Sequence, residues 1–210
     1  MTRIKICGIT SHADAAWCAE RGADAIGFVF APSPRRITPD QAGEIMRELE
    51  PFVTGVGVFV DSPPEEVKAA LGRAGCALAQ LHGSEPPSYM QALVPYGAIK
   101  ALRVGARLDA AAADSYKGAR ALLLDTEVPG LAGGTGRRFD PLLARPLIEA
   151  GWRVIVAGGL SPENVAGVVR RVRPYGVDVS SGVEAEPGRK DRGLVAGFIA
   201  AVRAADQELG

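Results

Sequence analysis

Short apolar stretches alternate with longer amphipathic stretches along the whole chain. In the first apolar stretch, residues 4–7 alternate between isoleucine and a lysine or a cysteine, which is the two-residue period of a β-strand. Gly8 follows and lets the backbone turn sharply. Small and apolar side chains then recur at helical spacing from Ser11 to Arg21, until Gly22 ends the pattern. The chain therefore opens with one predicted strand, loop and helix.

The same unit recurs seven more times. Further strands are predicted at Asp24 to Phe30, Gly55 to Val60, Leu78 to Leu81, Ile99 to Val104, Ala121 to Asp125, Arg153 to Ala157 and Val177 to Val179. The helices that follow them are predicted from Pro39 to about Leu49, Ser62 to Gly72 or Gly75, Pro87 to Val94, Leu108 to Tyr116, Asp140 to Glu149, from Ser161 onward, and Leu194 to Glu208.

Eight strands that are each followed by a helix are typical of an α/β fold of the (β/α)8, or TIM barrel, type. We expect a single domain over residues 1–210. The alternative is an open doubly wound sheet. A doubly wound sheet does not require eight regular units. The G-x-G-x-x-G motif that often follows the first strand of such a sheet is also absent after the first predicted strand.

The composition is that of an ordinary globular protein. With 47% hydrophobic residues, a chain of this length can bury a sizeable core without disulfides or metals. Lys plus Arg and Asp plus Glu both number 24, so the zero net charge gives no reason to expect nucleic acid or an anionic membrane as a partner. A small anionic ligand is still compatible with this zero net charge. The sequence has no long apolar run and no signal-peptide pattern, so we expect a cytoplasmic protein.

The cysteines and histidines argue against a metal centre. Cys7, Cys18 and Cys76 are widely spaced, which fits reduced thiols and gives neither a disulfide framework nor a C-x-x-C metal site. His12 and His82 are the two histidines of the sequence and lie far apart along it. We therefore expect no metal ligands.

Barrel enzymes carry their chemistry at the carboxyl ends of the strands. The polar or glycine residues expected there are Cys7, Arg35 and Arg36, Asp61, His82, Arg103, Asp125, Gly158 and Gly159, and Ser180, Ser181 and Gly182. Strands one and six lie nearly opposite each other in such a barrel, so Cys7 and Asp125 should flank one ligand. Asp61 precedes Ser62 and Pro63 and is expected to be a structural cap.

The loops after strands seven and eight carry mostly small residues, which lets backbone N–H groups approach an anion. Barrels usually bind phosphate there. A helix N-terminus near Val183 and Glu184 would add a positive dipole end to this site. Arg36 could hold a carboxylate at the other end of the ligand. The glycine-rich segment Thr126 to Arg138 is expected to be a mobile or ligand-covering loop.

Each of these residues also has a structural interpretation. Cys7 could be a small buried apolar residue, as we expect of Cys18 and Cys76. Arg36 could be a solvated charge, His82 could bond only to loop carbonyls, and the glycines of the last two loops could merely shape tight turns.

Motifs along nearly the whole chain resemble those of the phosphoribosylanthranilate isomerase family of tryptophan biosynthesis. The matching segments, by first residue, are K-I-C-G-I-T at Lys5, G-A-D-A-I-G-F-V-F at Gly22, P-R-R-I-T-P at Pro34, V-G-V-F-V at Val56, A-Q-L-H-G at Ala79, L-L-L-D at Leu122, G-G-T-G at Gly133, G-G-L-S-P-E-N-V at Gly158 and V-D-V-S-S-G-V-E at Val177. Each is weak alone, but nine in the same order are specific.

The resemblance implies an isomerase that rearranges N-(5'-phosphoribosyl)anthranilate to the 1-(2-carboxyphenylamino)-1-deoxyribulose phosphate without a metal or organic cofactor. It implies that Cys7 is the general base, Asp125 the general acid and Arg36 the partner of the anthranilate carboxylate. It places the phosphate on Gly158, Gly159, Ser180, Ser181 and Gly182, while His82 is expected to bind substrate.

Two other functions are compatible with the same strand-end residues. The related sugar-phosphate isomerase of histidine biosynthesis is a rival enzyme, although its members carry an aspartate where this chain has Cys7. A barrel that binds a phosphorylated ligand without turning it over is a rival of another class. The expected partner is a phosphorylated small molecule, and the assembly is expected to be a monomer or a homodimer.

Overall fold

Eight parallel strands close into a barrel in the computed structural model, which describes residues 1–104, 113–125 and 141–210. The strands are β1 (Arg3–Cys7), β2 (Ala25–Val29), β3 (Thr54–Phe59), β4 (Leu78–Leu81), β5 (Gly97–Arg103), β6 (Ala121–Asp125), β7 (Val154–Val156) and β8 (Gly176–Val179). Each pairs with the next, and β8 pairs with β1, with Ile4 opposite Val177. The predicted (β/α)8 barrel is confirmed.

Helices connect the strands. The described α-helices are α1 (His12–Glu20), α2 (Pro39–Arg47), α3 (Pro64–Ala74), α4 (Tyr89–Ala92), α5 (Arg145–Glu149), α6 (Val165–Val172) and α7 (Arg192–Glu208). The helix predicted from Leu108 to Tyr116 begins outside the described residues, and the predicted loop from Thr126 to Arg138 lies wholly outside them.

Capping side chains set several helix starts where the sequence predicted them. The Ser11 hydroxyl accepts a hydrogen bond from the backbone N–H of Asp14 at the start of α1. Thr38 and Gln41 form a reciprocal capping box at the start of α2. At α7, Asp191 caps the helix two residues earlier than predicted, since its carboxylate accepts from the N–H of Leu194.

Prolines shorten two of the predicted helices. The helix predicted over Pro87 to Val94 is reduced to α4, because prolines stand on both sides of it and restrict the backbone there. The helix predicted to start at Asp140 has a 3₁₀ turn over Pro141–Ala144 instead, and α5 begins only at Arg145. Pro146 lies in its first turn, where its missing N–H costs least.

The prediction that Ser161 starts a helix is wrong. Asn164 accepts a hydrogen bond from the N–H of Ser161 and donates one to the carbonyl of Gly159, so its side chain holds a turn here. The helix α6 starts after that turn, at Val165.

The prediction of a helix N-terminus near Val183 and Glu184 is also wrong. A single 3₁₀ turn, Ser181–Val183, leads into a hairpin of two short strands, β9 (Glu184–Glu186) and β10 (Arg189–Lys190). Pro187 and Gly188 form the hairpin turn, in which Gly188 takes the positive φ that suits glycine. No helix dipole therefore contributes at this point.

Two apolar clusters hold the barrel together. The larger cluster lies between the strands and the helices and contains Ile4, Phe28 and Phe198 among its fully buried side chains. The smaller one fills the barrel interior with side chains such as Ile99 and Leu123. Side chains alternate along a strand, so Ile4 and Ile6 face the helices while Lys5 and Cys7 face the interior.

A buried ion pair braces the loop after β4. The Lys100 ammonium lies 2.6 Å from the Glu85 carboxylate, and both side chains are almost fully buried. Lys100 also donates to the carbonyl of Gly83, and Glu85 accepts from the backbone N–H groups of Asp61 and Gly83. The pair therefore joins the loops that follow β3 and β4.

We predict that Lys100→Met lowers the free energy of unfolding by about 3–5 kcal/mol, because it leaves Glu85 buried without its charged partner. Urea denaturation measures this change. Lys68→Met is the matched control, since Lys68 pairs with the exposed Glu65 at 2.7 Å. It should cost at most about 1 kcal/mol. Equal losses in the two variants would contradict the prediction.

Candidate active site

Cys7 lies at the carboxyl end of β1 with 8% of its surface exposed. Gly8 follows it with a φ of 75°, a conformation that favours glycine. A Cβ atom on Gly8 would lie 2.6 Å from the Arg35 side chain and 2.9 Å from the Ser180 hydroxyl. The loops after β1, β2 and β8 therefore meet directly beside Cys7.

The pKa of the Cys7 thiol is raised above its ordinary value, because burial disfavours the thiolate. The positive charge of Lys5 opposes this effect, the carboxylate of Asp178 adds to it, and Lys190 opposes it more weakly. Burial also raises the pKa values of Cys18 and Cys76, to about 12 in each case. The Lys5 ammonium group acts on Cys7, whereas the buried ammonium group that acts on Cys18 is that of Lys190.

Asp125 ends β6 and is joined to His82, which follows β4. The His82 Nε2 atom lies 2.9 Å from the Asp125 carboxylate, and Nδ1 lies 3.1 Å from the Gln80 side-chain nitrogen. With the Gln80 amide assigned in this orientation, Nδ1 accepts and Nε2–H donates to Asp125. The Gln80 Oε1 atom is buried and has no hydrogen-bond partner in the described part of the chain. His82 thus orients the carboxyl group of Asp125.

The two adjacent arginines of the loop after β2 differ in their surroundings. Arg35 donates to both oxygens of Glu184 at 2.6–3.1 Å, and Glu184 also binds Lys190 at 2.7 Å. Arg36 is exposed, and no acidic side chain in the described ranges pairs with it. The Arg35 guanidinium is therefore bound by Glu184, whereas the Arg36 guanidinium can bind a ligand.

Glu184 connects three segments around this site. Burial disfavours its charge, but hydrogen bonds and charges from Arg35 and Lys190 outweigh that effect and hold the pKa of Glu184 below its ordinary value. Lys190 also donates to the carbonyl of Ser180 at 3.3 Å. Through Glu184, the loop after β2 is fixed against the loop after β8 and the hairpin.

The loops after β7 and β8 touch each other at Gly182. A Cβ atom there would lie 1.8 Å from the carbonyl oxygen of Leu160, so any other residue would push the loops apart. Gly158 and Gly159 both have positive φ. Within the described residues, no acceptor binds the N–H groups of Gly158, Gly159 or Ser180. These groups are available to an anion.

Several residues of this region were not singled out from the sequence. Lys5, Gln80 and Asp178 are buried polar residues inside barrel strands, and Glu184 and Lys190 are buried in the hairpin. The available signal was a charged or amide residue in the middle of an apolar stretch, as in R-I-K-I-C and G-V-D-V. Such residues are almost never buried without a partner.

A cavity of about 420 Å³ opens at the other end of the barrel, and Lys5 is among the residues that line it. Arg3, Phe52, Arg120 and Tyr175 are among the residues that line it. None of the site residues predicted from the sequence borders it. In the described ranges, no cluster of three or more His, Cys, Asp or Glu side chains could hold a metal ion.

Comparison with known proteins decides the family. The family model for N-(5'-phosphoribosyl)anthranilate isomerase matches residues 4–201. The chain belongs to this family. The isomerase of Geobacter sp. is 50% identical over 201 residues, which are 95% of this chain and 97% of that protein.

Solved phosphoribosylanthranilate isomerases have the same fold. One, in complex with reduced 1-(o-carboxyphenylamino)-1-deoxyribulose 5-phosphate, is 40% identical with a TM-score of 0.87, covering 97% of this chain and all of that one. Another is a structure of mutually generated monomers of the dimeric isomerase from Thermotoga maritima, 39% identical with a TM-score of 0.87 and the same coverage. The family resemblance found in the sequence is confirmed.

We predict that Glu184→Gln lowers the free energy of unfolding at neutral pH by about 3–5 kcal/mol, because Arg35 and Lys190 lose a buried charged partner. The folded-state pKa of Glu184 is lowered, so this contribution is complete above the ordinary glutamate value of 4.5. It disappears as the pH falls through the lowered folded-state pKa. Denaturation of both proteins across this pH range tests the prediction.

Glu186→Gln is the control, since Glu186 pairs with Arg189 in the same hairpin but is exposed. It should change stability by less than about 1 kcal/mol. A stability difference between the native protein and Glu184→Gln that persists unchanged in acid would contradict the assignment.

Proposed function

We propose that this chain carries out the Amadori rearrangement of N-(5'-phosphoribosyl)anthranilate with Cys7 as general base and Asp125 as general acid. The isomerase activity follows from the family, whereas the roles of the residues are our proposal. The main observation behind it is that a thiol ends β1 and a carboxyl group ends β6 of one closed parallel barrel. Both groups therefore stand at the end where barrels perform chemistry.

The acid acts first. Asp125 gives its proton to the ring oxygen of the sugar as the bond from C1 to that oxygen breaks. The nitrogen lone pair of the anthranilate forms the C1=N bond, so the furanose opens to an iminium ion. The hydrogen bond from His82 Nε2 at 2.9 Å supports this role, because it fixes the direction of the Asp125 carboxyl group.

The base acts next. The Cys7 thiolate removes the proton from C2, and the electron pair of that C–H bond forms C1=C2 while the C1=N electrons return to nitrogen. The resulting enaminol becomes the ketone when its C2 hydroxyl loses a proton and C1 gains one. A sulfur base suits this step because it is reactive once ionised, although an ordinary thiol is only a few per cent thiolate at neutral pH.

The substrate carries an anion at each end, and we propose a separate site for each. Arg36 would hold the anthranilate carboxylate by paired N–H donors. The phosphate would lie on the loops after β7 and β8, at Gly158, Gly159, Ser180, Ser181 and Gly182. The positive φ angles of Gly158 and Gly159 and the available N–H groups beside them support this placement. His82 would contact the sugar between the two anions.

The wider setting of the enzyme is also a proposal. We propose that the reaction needs no cofactor and that the protein is a single-domain cytoplasmic enzyme, which the free thiols Cys7, Cys18 and Cys76 support. No helix in the described part of the chain could cross a membrane. Its assembly would be a monomer or a homodimer, and the dimeric isomerase from Thermotoga maritima favours the second. Light scattering on the purified protein distinguishes the two.

We predict that purified protein removes the fluorescence of freshly made phosphoribosylanthranilate in metal-free buffer containing a chelator. Cys7→Ala and Asp125→Asn should each lower kcat on the order of 10² to 10⁴-fold, with a much smaller change in KM, because each removes a positioned base or acid. Cys18→Ala is the matched control, since it removes a buried thiol outside the site and should leave kcat unchanged.

Near-native kcat in Cys7→Ala or Asp125→Asn would remove that residue from the mechanism. If the native protein consumes the substrate no faster than its spontaneous breakdown, the activity itself is rejected. Sugar phosphates of the histidine pathway are then the next substrates to test.

Arg36→Met should raise KM roughly 10- to 100-fold while kcat changes less, because a charged pair of hydrogen bonds to the substrate is lost. Steady-state kinetics at several substrate concentrations measures this. Arg47→Met provides the comparison, since Arg47 is an exposed arginine of α2 and should keep the native KM. An unchanged KM in Arg36→Met would make Arg36 a surface residue.

A further inference from the structure

Lys5 is a charged residue in the middle of the barrel interior. It precedes Cys7 by two positions on β1, so both side chains project from the same face of the strand. The residue is 4% exposed. The proposed acid and base chemistry assigns Lys5 no role, and a barrel interior is normally filled with branched apolar side chains. A lysine buried at this depth therefore needs a separate reason.

Asp178 fixes the position of the Lys5 ammonium group. Its carboxylate lies 2.9 Å from Lys5 Nζ, and the two side chains are 9% and 5% exposed. Asp178 lies on β8, directly opposite Lys5 in the β8–β1 pairing. This carboxylate raises the pKa of Lys5 against the lowering effect of burial, so Lys5 is charged at neutral pH.

Lys5 and Cys7 share one space in the barrel. Gly27 of β2 stands opposite Cys7 in the β1–β2 pairing. A Cβ atom on Gly27 would lie 2.8 Å from the Cys7 sulfur and 3.0 Å from the Lys5 nitrogen. Both atoms therefore border the point that a side chain at position 27 would fill, and the three atoms nearest to that point all belong to Cys7 and Lys5.

The charged groups that face the Cys7 sulfur come from three elements. Lys5 lies on β1, Asp178 on β8 and Lys190 on β10, while β2 contributes only the uncharged Gly27. Across the barrel, the Asp125 and His82 pair stands at the end of β6 and just after β4. Apart from burial itself, Lys5 has the largest influence on the Cys7 thiol, larger than the opposing effect of Asp178.

We propose that Lys5 is a positioning residue of the isomerase: held by Asp178, its ammonium group stabilises the Cys7 thiolate that removes the C2 proton. In this step the proton moves from C2 to the Cys7 sulfur, and the ammonium group keeps its own protons throughout. Lys5 does not touch the substrate and acts only through Cys7. The inference rests on the proposed role of Cys7 as the base, but a titration of the Cys7 thiol tests it without requiring turnover.

The test titrates Cys7 directly by the ultraviolet absorbance of the thiolate, as a difference between each protein and the same protein with Cys7→Ala. Cys18 and Cys76 do not interfere, because their pKa values are about 12 and the subtraction removes them together with the tyrosines. Lys5→Met keeps the length of the side chain and removes its charge. Lys5→Arg keeps the charge.

In Lys5→Met the titration midpoint of Cys7 should rise by about one pH unit or more, which is roughly tenfold less thiolate at a fixed pH below the midpoint. The acidic limb of the pH profile for kcat should move in the same direction, with KM little changed. Lys5→Arg should stay closer to the native midpoint. Lys100→Met, which removes another buried and paired ammonium group away from Cys7, should leave the midpoint unchanged.

If Lys5→Met does not fold because Asp178 is left unpaired, Lys5→Met/Asp178→Asn removes both charges. Its midpoint should still lie above the native one, since the Lys5 nitrogen borders the space beside the Cys7 sulfur and no Asp178 atom is among the three nearest to that point. A native midpoint in the single or the double variant would overturn the proposal, as would an equal rise in Lys100→Met. If Cys7→Ala keeps full activity, the base assignment fails, while the titration still reports whether Lys5 stabilises the thiolate.

Discussion

The pairing of β8 with β1 is the constraint on which the rest of the structure depends. It closes the sheet, so that residues from both ends of the chain meet at one mouth of the barrel. Cys7 and Ser180 are far apart in sequence, yet both lie beside Gly8 because of this pairing. The same register sets Lys5 opposite Asp178. Closure also leaves no free sheet edge, so side chains and loops alone decide what the mouth of the barrel can bind.

Buried carboxylates then fix the loops that the closed sheet leaves at this mouth. Glu184 holds Arg35 and Lys190, and Glu85 holds Lys100 and the turn after His82. In both cases one acidic side chain satisfies several donors from different loops, which offsets the cost of burying its charge. The loops after β2, β4 and β8 are therefore held by the protein's own charges before any substrate binds, which lowers the entropy that binding must overcome.

The sequence predicts the fold well because the fold repeats a local pattern. Strand and helix positions follow from periodicity and from caps such as Ser11 and Thr38, which act over a few residues. The helix predictions that failed depend on contacts between distant residues or on side-chain hydrogen bonds that compete with the helix. Asn164 bonds to Ser161 and Gly159 and replaces a helical turn, and the hairpin at Glu184 is held by Arg35, which is distant in sequence. Strand-end positions place Cys7 and Asp125 correctly at the barrel mouth, but the buried partners Lys5, Asp178 and Glu184 depend on strand register, which composition and spacing do not reveal.

The position of Cys7 combines two opposing demands. Burial protects a reactive thiol from water, and the same burial disfavours the thiolate that the proposed mechanism requires. A charge at the surface could not resolve this conflict, since solvent would screen it. An ammonium group inside the barrel can, but it needs its own counterion, and the Asp178 carboxylate that serves here also disfavours the Cys7 thiolate. In the proposed arrangement, Gly27 leaves Lys5 open toward the sulfur, while Asp178 holds Lys5 from the neighbouring strand and offsets part of its effect on Cys7.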